Sequence, residues 1–348
     1  MKKQAAIPAD ASKVLLIMND HHLGNTVISL PVLEAYGRYF GNRLEILIDR
    51  RYLPLAECLP SRPRLCAWPD RQRHPGGFRR SLAEARCVLS LRRKRFDISV
   101  DLMGMVRSTR ITRWVAAQRR YGFGHLRNPH VYSDHVSRPS GPHCFDRYRR
   151  FLELIGTADP PRLQLSAPDV CVQSVGRQLV EAGLVPDSPL VLIHPSSAKT
   201  YRRWPIERFG EVAEGLIDSH DANICIVGTR PERDLCRQLL GAIRQRDRAV
   251  HLEPDILELL ALMNRSDLLV SSESGPTHLA AATTVPIVTV FGPSDEDEWR
   301  PLRIKNLTVL RGAACDPNCH PARCLHGYRC LMDLDAGQVL EAARKAIG

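Results

Sequence analysis

With 348 residues, 44% of them hydrophobic, the chain has length for two buried cores and the composition of a globular protein. No apolar run approaches the ~20 residues that a membrane-spanning helix needs, and the basic start MKKQAAIPADASK lacks the apolar core of a secretory signal, so a cytoplasmic protein is expected. The net charge of +11 is uneven: residues 61–150 hold 21 Lys and Arg against 6 Asp and Glu, which suits a polyanionic partner (nucleic acid, anionic lipid head groups or a phosphorylated glycan) or an Arg-rich solvated face.

In chain order, the apolar run Val14–Met18 reads as a strand, followed by the loop Asn19-Asp20-His21-His22-Leu23-Gly24-Asn25 and a helix from Thr26 to about Arg38. A second strand is expected at Leu44–Ile48 and a later one at Phe96–Asp101, ending in DLMG. Residues 60–80, rich in Pro, Gly and Arg, read as a surface excursion. Phe145, Tyr148, Phe151, Leu152 and Ile155 fall at helical spacing, and Gly156 ends that helix. Residues 157–170, with three prolines and little periodicity, read as an interdomain linker.

The second half alternates more regularly. A strand at Leu190–His194 precedes a helix carrying Phe209, Val212, Ala213, Leu216 and Ile217 on one face. A strand at Asn223–Val227, a helix from about Glu232, a short strand closed by His251 and a helix at Ile256–Asn264 follow. Then comes LLVSSESGPTHLAAATTVPIVTVFGP (268–293), a strand, a Ser-Gly-Pro turn, an Ala-rich helix and another strand. A final helix is expected near Ala336–Ala346. Such alternation implies an α/β fold of two doubly wound domains, 1–165 and 166–348, whose functional loops lie at strand carboxyl ends and face one cleft.

Those loops carry the chemistry. In HPSSAKTYRRWPIERF (194–209), Ser196 and Ser197 offer hydroxyls, while Lys199, Arg202 and Arg203 offer cations ahead of a helix start; the set suits a pyrophosphate or is a solvated basic loop. Glu232, just past a strand end, can bind ribose hydroxyls or stabilise a helix N-terminus. At the turn Glu273-Ser274-Gly275-Pro276-Thr277-His278, backbone N–H groups form an anion site. Glu273 can meet sugar hydroxyls, and His278 can meet a phosphate or a buried carbonyl. This geometry points to a nucleotide diphosphate and an activated donor. In the first domain Asp20, His21 and His22 are titratable and suit a general base. The His pair also raises metal binding, although the sequence offers it no clear third ligand.

Eleven scattered cysteines fit a reducing compartment. Four cluster as Cys315-x3-Cys319-x4-Cys324-x5-Cys330, a set that can hold zinc or iron or simply be loop thiols, since the spacings miss the common C-x2-C pairs.

Taken in order, LGNTVISLPVL, FDISVDLMG, RRYGF, HPSSAKTYRRWPIERF, the Glu of VGTRPERD, SESGPTHLAAATTVPIVTVFGPSD and the tail RCLMDL resemble glycosyltransferase family 9, the heptosyltransferases of lipopolysaccharide core assembly. The resemblance implies a GT-B fold of two Rossmann-like domains, with the acceptor on the first and the nucleotide sugar on the second. It implies inverting transfer from ADP-heptose with no cofactor or metal required, an anionic core acceptor, peripheral contact with the inner face of the cytoplasmic membrane, and no nucleic acid. By position, Arg202 takes the place of the phosphate-binding lysine, Ser196 and Ser197 match donor-phosphate hydroxyls, and Glu232 matches the ribose-binding acid. Backbone near Pro254 faces the base, and Glu273 with the Gly275–His278 turn holds sugar and diphosphate.

Two positions depart from the family. Asn25 stands where members carry the Asp proposed as base, which leaves Asp20 or Asp101 for that role, or Asn25 as an orienting group. Glu273 replaces a family Asp and is one methylene longer, which bears on the sugar that fits. The alternatives are a nucleotide-binding scaffold that lost catalysis, or transfer of a different sugar.

Overall fold

The structure, a computed structural model, describes residues 6–69, 77–126, 128–157, 159–185, 187–302, 305–313 and 323–348. The chain divides into two compact units, Met1–Leu163 and Gln164–Gly348.

In the first unit six strands, β1 (Val14–Met18), β2 (Leu44–Asp49), β3 (Arg64–Trp68), β4 (Ile98–Asp101), β5 (Arg119–Phe123) and β6 (Asp134–Val136), pair in parallel in the order β3-β2-β1-β4-β5-β6. The helices are α1 (Leu23–Phe40), α2 (Leu53–Glu57), α3 (Gly77–Arg93), α4 (Val106–Val115) and α5 (Cys144–Leu152). Every residue of β1 is buried, because helices cover both faces of a doubly wound sheet and leave its central strands no polar side. On one face Leu15, Ile17 and Leu47 pack with Val88 and Leu91 of α3 and Ile111 and Val115 of α4.

The second unit repeats the plan with β7 (Leu190–His194), β8 (Asn223–Val227), β9 (Ala249–Leu252), β10 (Leu268–Ser272), β11 (Ile287–Val290) and β12 (Leu307–Leu310). Their order is β12-β11-β10-β7-β8-β9, again all parallel. Its helices are α6 (Asp169–Glu181), α7 (Ile206–His220), α8 (Arg233–Ala242), α9 (Ile256–Arg265), α10 (Gly275–Ala281), α11 (Glu296–Trp299), α12 (Arg329–Met332) and α13 (Ala336–Ile347). Trp204, Phe209, Val212 and Leu216 form one core with β7, β8 and the α13 residues Val339 and Ala343. The Trp204 indole N–H donates to the Leu334 carbonyl at 3.0 Å, which fastens the chain ahead of α13 to the loop after β7.

Three features differ from the sequence reading. The 60–80 stretch contains β3, an edge strand whose mixed exposure hides it from an apolar-run search. α1 begins at Leu23, so Gly24 and Asn25 sit in its first turn and not in the preceding loop. α6 begins at Asp169, inside the stretch read as linker. Among the described residues, no helix is long and apolar enough to cross a membrane.

Candidate functional site

Each sheet has one switch point, where successive connections leave in opposite directions and the strand ends part to leave a crevice. In the first sheet it lies between β1 and β4, in the second between β7 and β10.

At the first switch point the chain leaving β1 folds back on Asp20, which is 5% exposed. Its Oδ1 accepts from the His22 backbone N–H at 2.9 Å and lies 2.9 Å from His22 Nδ1, and its Oδ2 accepts from Asn25 Nδ2 at 2.7 Å. Asn25 is therefore a donor that fixes a carboxylate one turn before it. His21 Nδ1 lies 3.6 Å from the same carboxylate. Asp20 is the third candidate group that the sequence did not show for the His pair: potential ligand atoms of Asp20, His21 and His22 all lie within 4.8 Å of one another.

Asp101, at the end of β4, is fully buried. It accepts from the backbone N–H groups of Met103 and Gly104 at 2.9 and 3.0 Å and from the Tyr132 hydroxyl at 2.8 Å. Burial raises its carboxyl above the ordinary range, against the pull of Gly104, Tyr132, Met103 and Ser108. The three donors make Asp101 the residue that shapes the DLMG turn, where Gly104 has φ +61°. Asp20 is the less enclosed of the two carboxylates, 5% exposed against 0% for Asp101.

At the second switch point the loop after β7 and the turn after β10 are stitched together. The Ser197 hydroxyl donates to the Glu273 carbonyl at 2.8 Å, and Ser272 Oγ donates to the Pro195 carbonyl at 3.3 Å. Arg202 Nη1 donates to Glu273 Oε1 at 3.0 Å, while Arg202 Nε is buried without a hydrogen-bond partner. Arg203 Nε donates to the Ser197 carbonyl at 3.0 Å, and Lys199 is exposed on the same loop. Burial raises the Glu273 carboxyl, and Arg202, Ser294 and Arg311 act against it.

Ser274 holds the N-cap position of the short helix α10 without a side-chain capping bond, with Gly275 and Pro276 opening the first turn and Thr277 and His278 buried behind them. Ser274 Oγ lies 3.2 Å from Thr277 Oγ1, which lies 2.9 Å from Ser271 Oγ. On its other side Ser274 Oγ is 3.1 Å from His194 Nδ1. His194 Nε2 is 3.9 Å from Glu232 Oε1, beyond hydrogen-bond reach. Glu232 Oε2 accepts from the Thr229 N–H and hydroxyl at 2.8 and 2.7 Å, so the acid also closes the capping box of its own helix turn. Burial works to raise this carboxyl, but His194, Ser196 and Thr229 outweigh it and hold Glu232 well below the usual carboxylate range. Pro254, half-buried, follows β9, the strand next to β8.

His194 is the residue that sequence reasoning missed. It closes the central strand β7, and its ring lies between the acid after β8 and the hydroxyl after β10. A polar side chain ending a wholly apolar central strand was the available signal. Of the cysteine cluster, Cys315 and Cys319 lie outside the described residues; Cys324 Sγ accepts from the Tyr328 N–H at 3.3 Å, and Cys330 is buried in α12.

Two six-stranded parallel sheets, each with a polar constellation at its switch point, form a GT-B architecture that solved structures share. A family 9 glycosyltransferase from Veillonella parvula superposes with a TM-score of 0.83 at 20% identity, covering 98% of this chain and 99% of that one. The E. coli ADP-heptose lps heptosyltransferase II superposes with a TM-score of 0.76 at 19% identity, covering 96% and 98%. Residues 85–328 match glycosyltransferase family 9 (heptosyltransferase), and the chain belongs to that family. Among relatives, the lipopolysaccharide core heptosyltransferase OpsX of Haemophilus influenzae is 25% identical over 210 residues; the matched stretch is 58% of each chain.

Proposed function

We propose that the protein transfers a heptose from ADP-heptose to an anionic lipopolysaccharide core acceptor, with inversion and without a metal ion. The observation that carries the reading is the constellation at the β7–β10 switch point. There Arg202, Ser197, Glu273 and the Ser274–His278 turn converge where a diphosphate would lie. The donor assignment draws on the activity named for the E. coli protein of the same fold.

In this mechanism the Asp20 carboxylate takes the proton of an acceptor hydroxyl, and the freed oxygen attacks the anomeric carbon from the face opposite the diphosphate. The bond to the diphosphate breaks and its charge grows. Arg202, the Ser196 and Ser197 hydroxyls and the N–H groups opening α10 stabilise that charge, a role in which preorganised donors outperform water. Lys199 supplies a further cation, and together these groups do the neutralising work that a metal ion does elsewhere. Glu232 takes the ribose hydroxyls, Pro254 borders the base, and Glu273 meets the sugar. The first unit, which holds the basic stretch, carries the anionic acceptor at the inner face of the cytoplasmic membrane.

The test is product analysis after incubation with ADP-heptose and a truncated core acceptor. A heptosylated product of inverted anomeric configuration, formed equally with and without EDTA, supports the reading. Retained configuration or chelator-sensitive turnover overturns the mechanism. The extra methylene of Glu273 favours a second reading, transfer of a smaller sugar, which a panel of ADP-sugars would reveal.

A further inference from the structure

We infer that α3 is an in-plane docking helix for an anionic lipid surface. The inference rests on the membrane-side reading above and gives it a structural element. An amphipathic helix is expected to have one apolar face, and α3 has two. Its inner face sends Val88 and Leu91 into the core, with Cys87 packed against them. On the opposite side Phe78, Leu82, Ala85 and Leu89 follow one another at helical spacing, within about 60° of arc. They are exposed: 82% for Phe78, 41% for Leu82 and 53% for Leu89. Much of this outer stripe stays in contact with water in the folded chain.

Arginines border the stripe along its length, with Arg79, Arg86 and Arg93 on one flank and Arg92 on the other, all exposed. The one acid of the helix, Glu84, turns inward, 3.5 Å from Arg80 Nε. Neighbouring α4 extends the pattern. Trp114 is 52% exposed, and Arg92 donates to its carbonyl at 3.2 Å. Arg80, Arg107, Arg110 and Trp114, with Glu84 as the single acid, line a cavity of about 300 Å³ between the two helices.

An apolar stripe with cationic flanks and an adjoining Trp matches the boundary between acyl chains and head groups, where aliphatic side chains enter and arginines meet phosphate. The charge selects among occupants. A second copy would bring the same arginines face to face, and a nucleic acid would leave the aliphatic stripe in water.

The test is flotation of the full chain with vesicles of phosphatidylcholine alone, or mixed with phosphatidylglycerol. The wild type should float only with the anionic vesicles, and less so at high salt. The triple variant Phe78→Ser/Leu82→Gln/Leu89→Gln should float about tenfold less or worse, while melting as the wild type does and keeping its turnover on a soluble acceptor. Should the triple variant melt early, Arg79→Glu/Arg86→Glu/Arg93→Glu replaces it with the same expected loss. A wild type that ignores both vesicles overturns the membrane reading as well. Well-folded variants that float like wild type overturn the role of α3 alone. So does a wild-type dimer that the variants dissociate, or binding to an RNA duplex in preference to vesicles.

Discussion

Arg202 Nη1 and Glu273 Oε1 meet at 3.0 Å, tying a cation of the loop after β7 to an acid at the end of β10. The contact holds the guanidinium at the switch point before any phosphate arrives, which is what preorganised charge stabilisation needs. Arg202→Ala is expected to lower kcat/KM about 10²–10³-fold with little change in the far-ultraviolet spectrum. Arg202→Lys should recover only part of this, because an ammonium cannot serve the acid and a phosphate through a planar fork. Steady-state kinetics on the two variants checks both statements.

Glu273 gives the pH signature. Burial raises its carboxyl above the ordinary glutamate range, so the fold favours the protonated form. The stability it contributes is present below its unfolded pKa and is lost as pH rises through the folded one. Glu273→Gln should therefore raise Tm at neutral pH, and the gain should vanish in acid below the ordinary glutamate pKa. Melting curves across that range decide it; a variant less stable at neutral pH would contradict the sign.

Glu232 behaves in the opposite sense. His194, Ser196 and Thr229 hold it ionised against its burial, which suits an acid that accepts from sugar hydroxyls. Glu232→Ala should weaken ADP binding about tenfold or more while changing kcat far less. An ADP analogue lacking both ribose hydroxyls should bind the variant and the wild type alike. Calorimetry with the two nucleotides separates this role from mere helix capping.

Asp20 and Asn25 form one unit through their 2.7 Å hydrogen bond. Asp20→Asn should reduce kcat about 10²–10⁴-fold with donor affinity unchanged. Asn25→Asp sets two carboxylates against each other, and such a pair shares a proton over an extended range. The acid limb of the kcat profile should then move to higher pH. An Asp20→Asn enzyme that keeps its rate would remove Asp20 from the chemistry.

The strands β1, β7, β8 and β10 were legible because centrally placed parallel strands are apolar on both faces, and they located the loops that carry the site. β3 was not legible, since an edge strand keeps polar residues such as Arg64. α3 was hidden by its outer stripe, which spoils the one-sided periodicity a helix search looks for. Asp20 and Asp101 look alike in the sequence, each an acid at a strand end. What separates them is Tyr132, which reaches Asp101 from 31 residues away. Long-range closure of that kind leaves no local trace, and the same holds for the place of His194 between two loops.

Calorimetric binding of ADP, UDP and GDP, followed by ADP-heptose turnover on a truncated core acceptor, decides whether the β7–β10 switch point is an ADP-heptose donor site. The expected result is selective ADP binding that Arg202→Ala weakens, with heptose appearing on the acceptor. Preference for UDP or GDP, or ADP binding with no transfer, would contradict it.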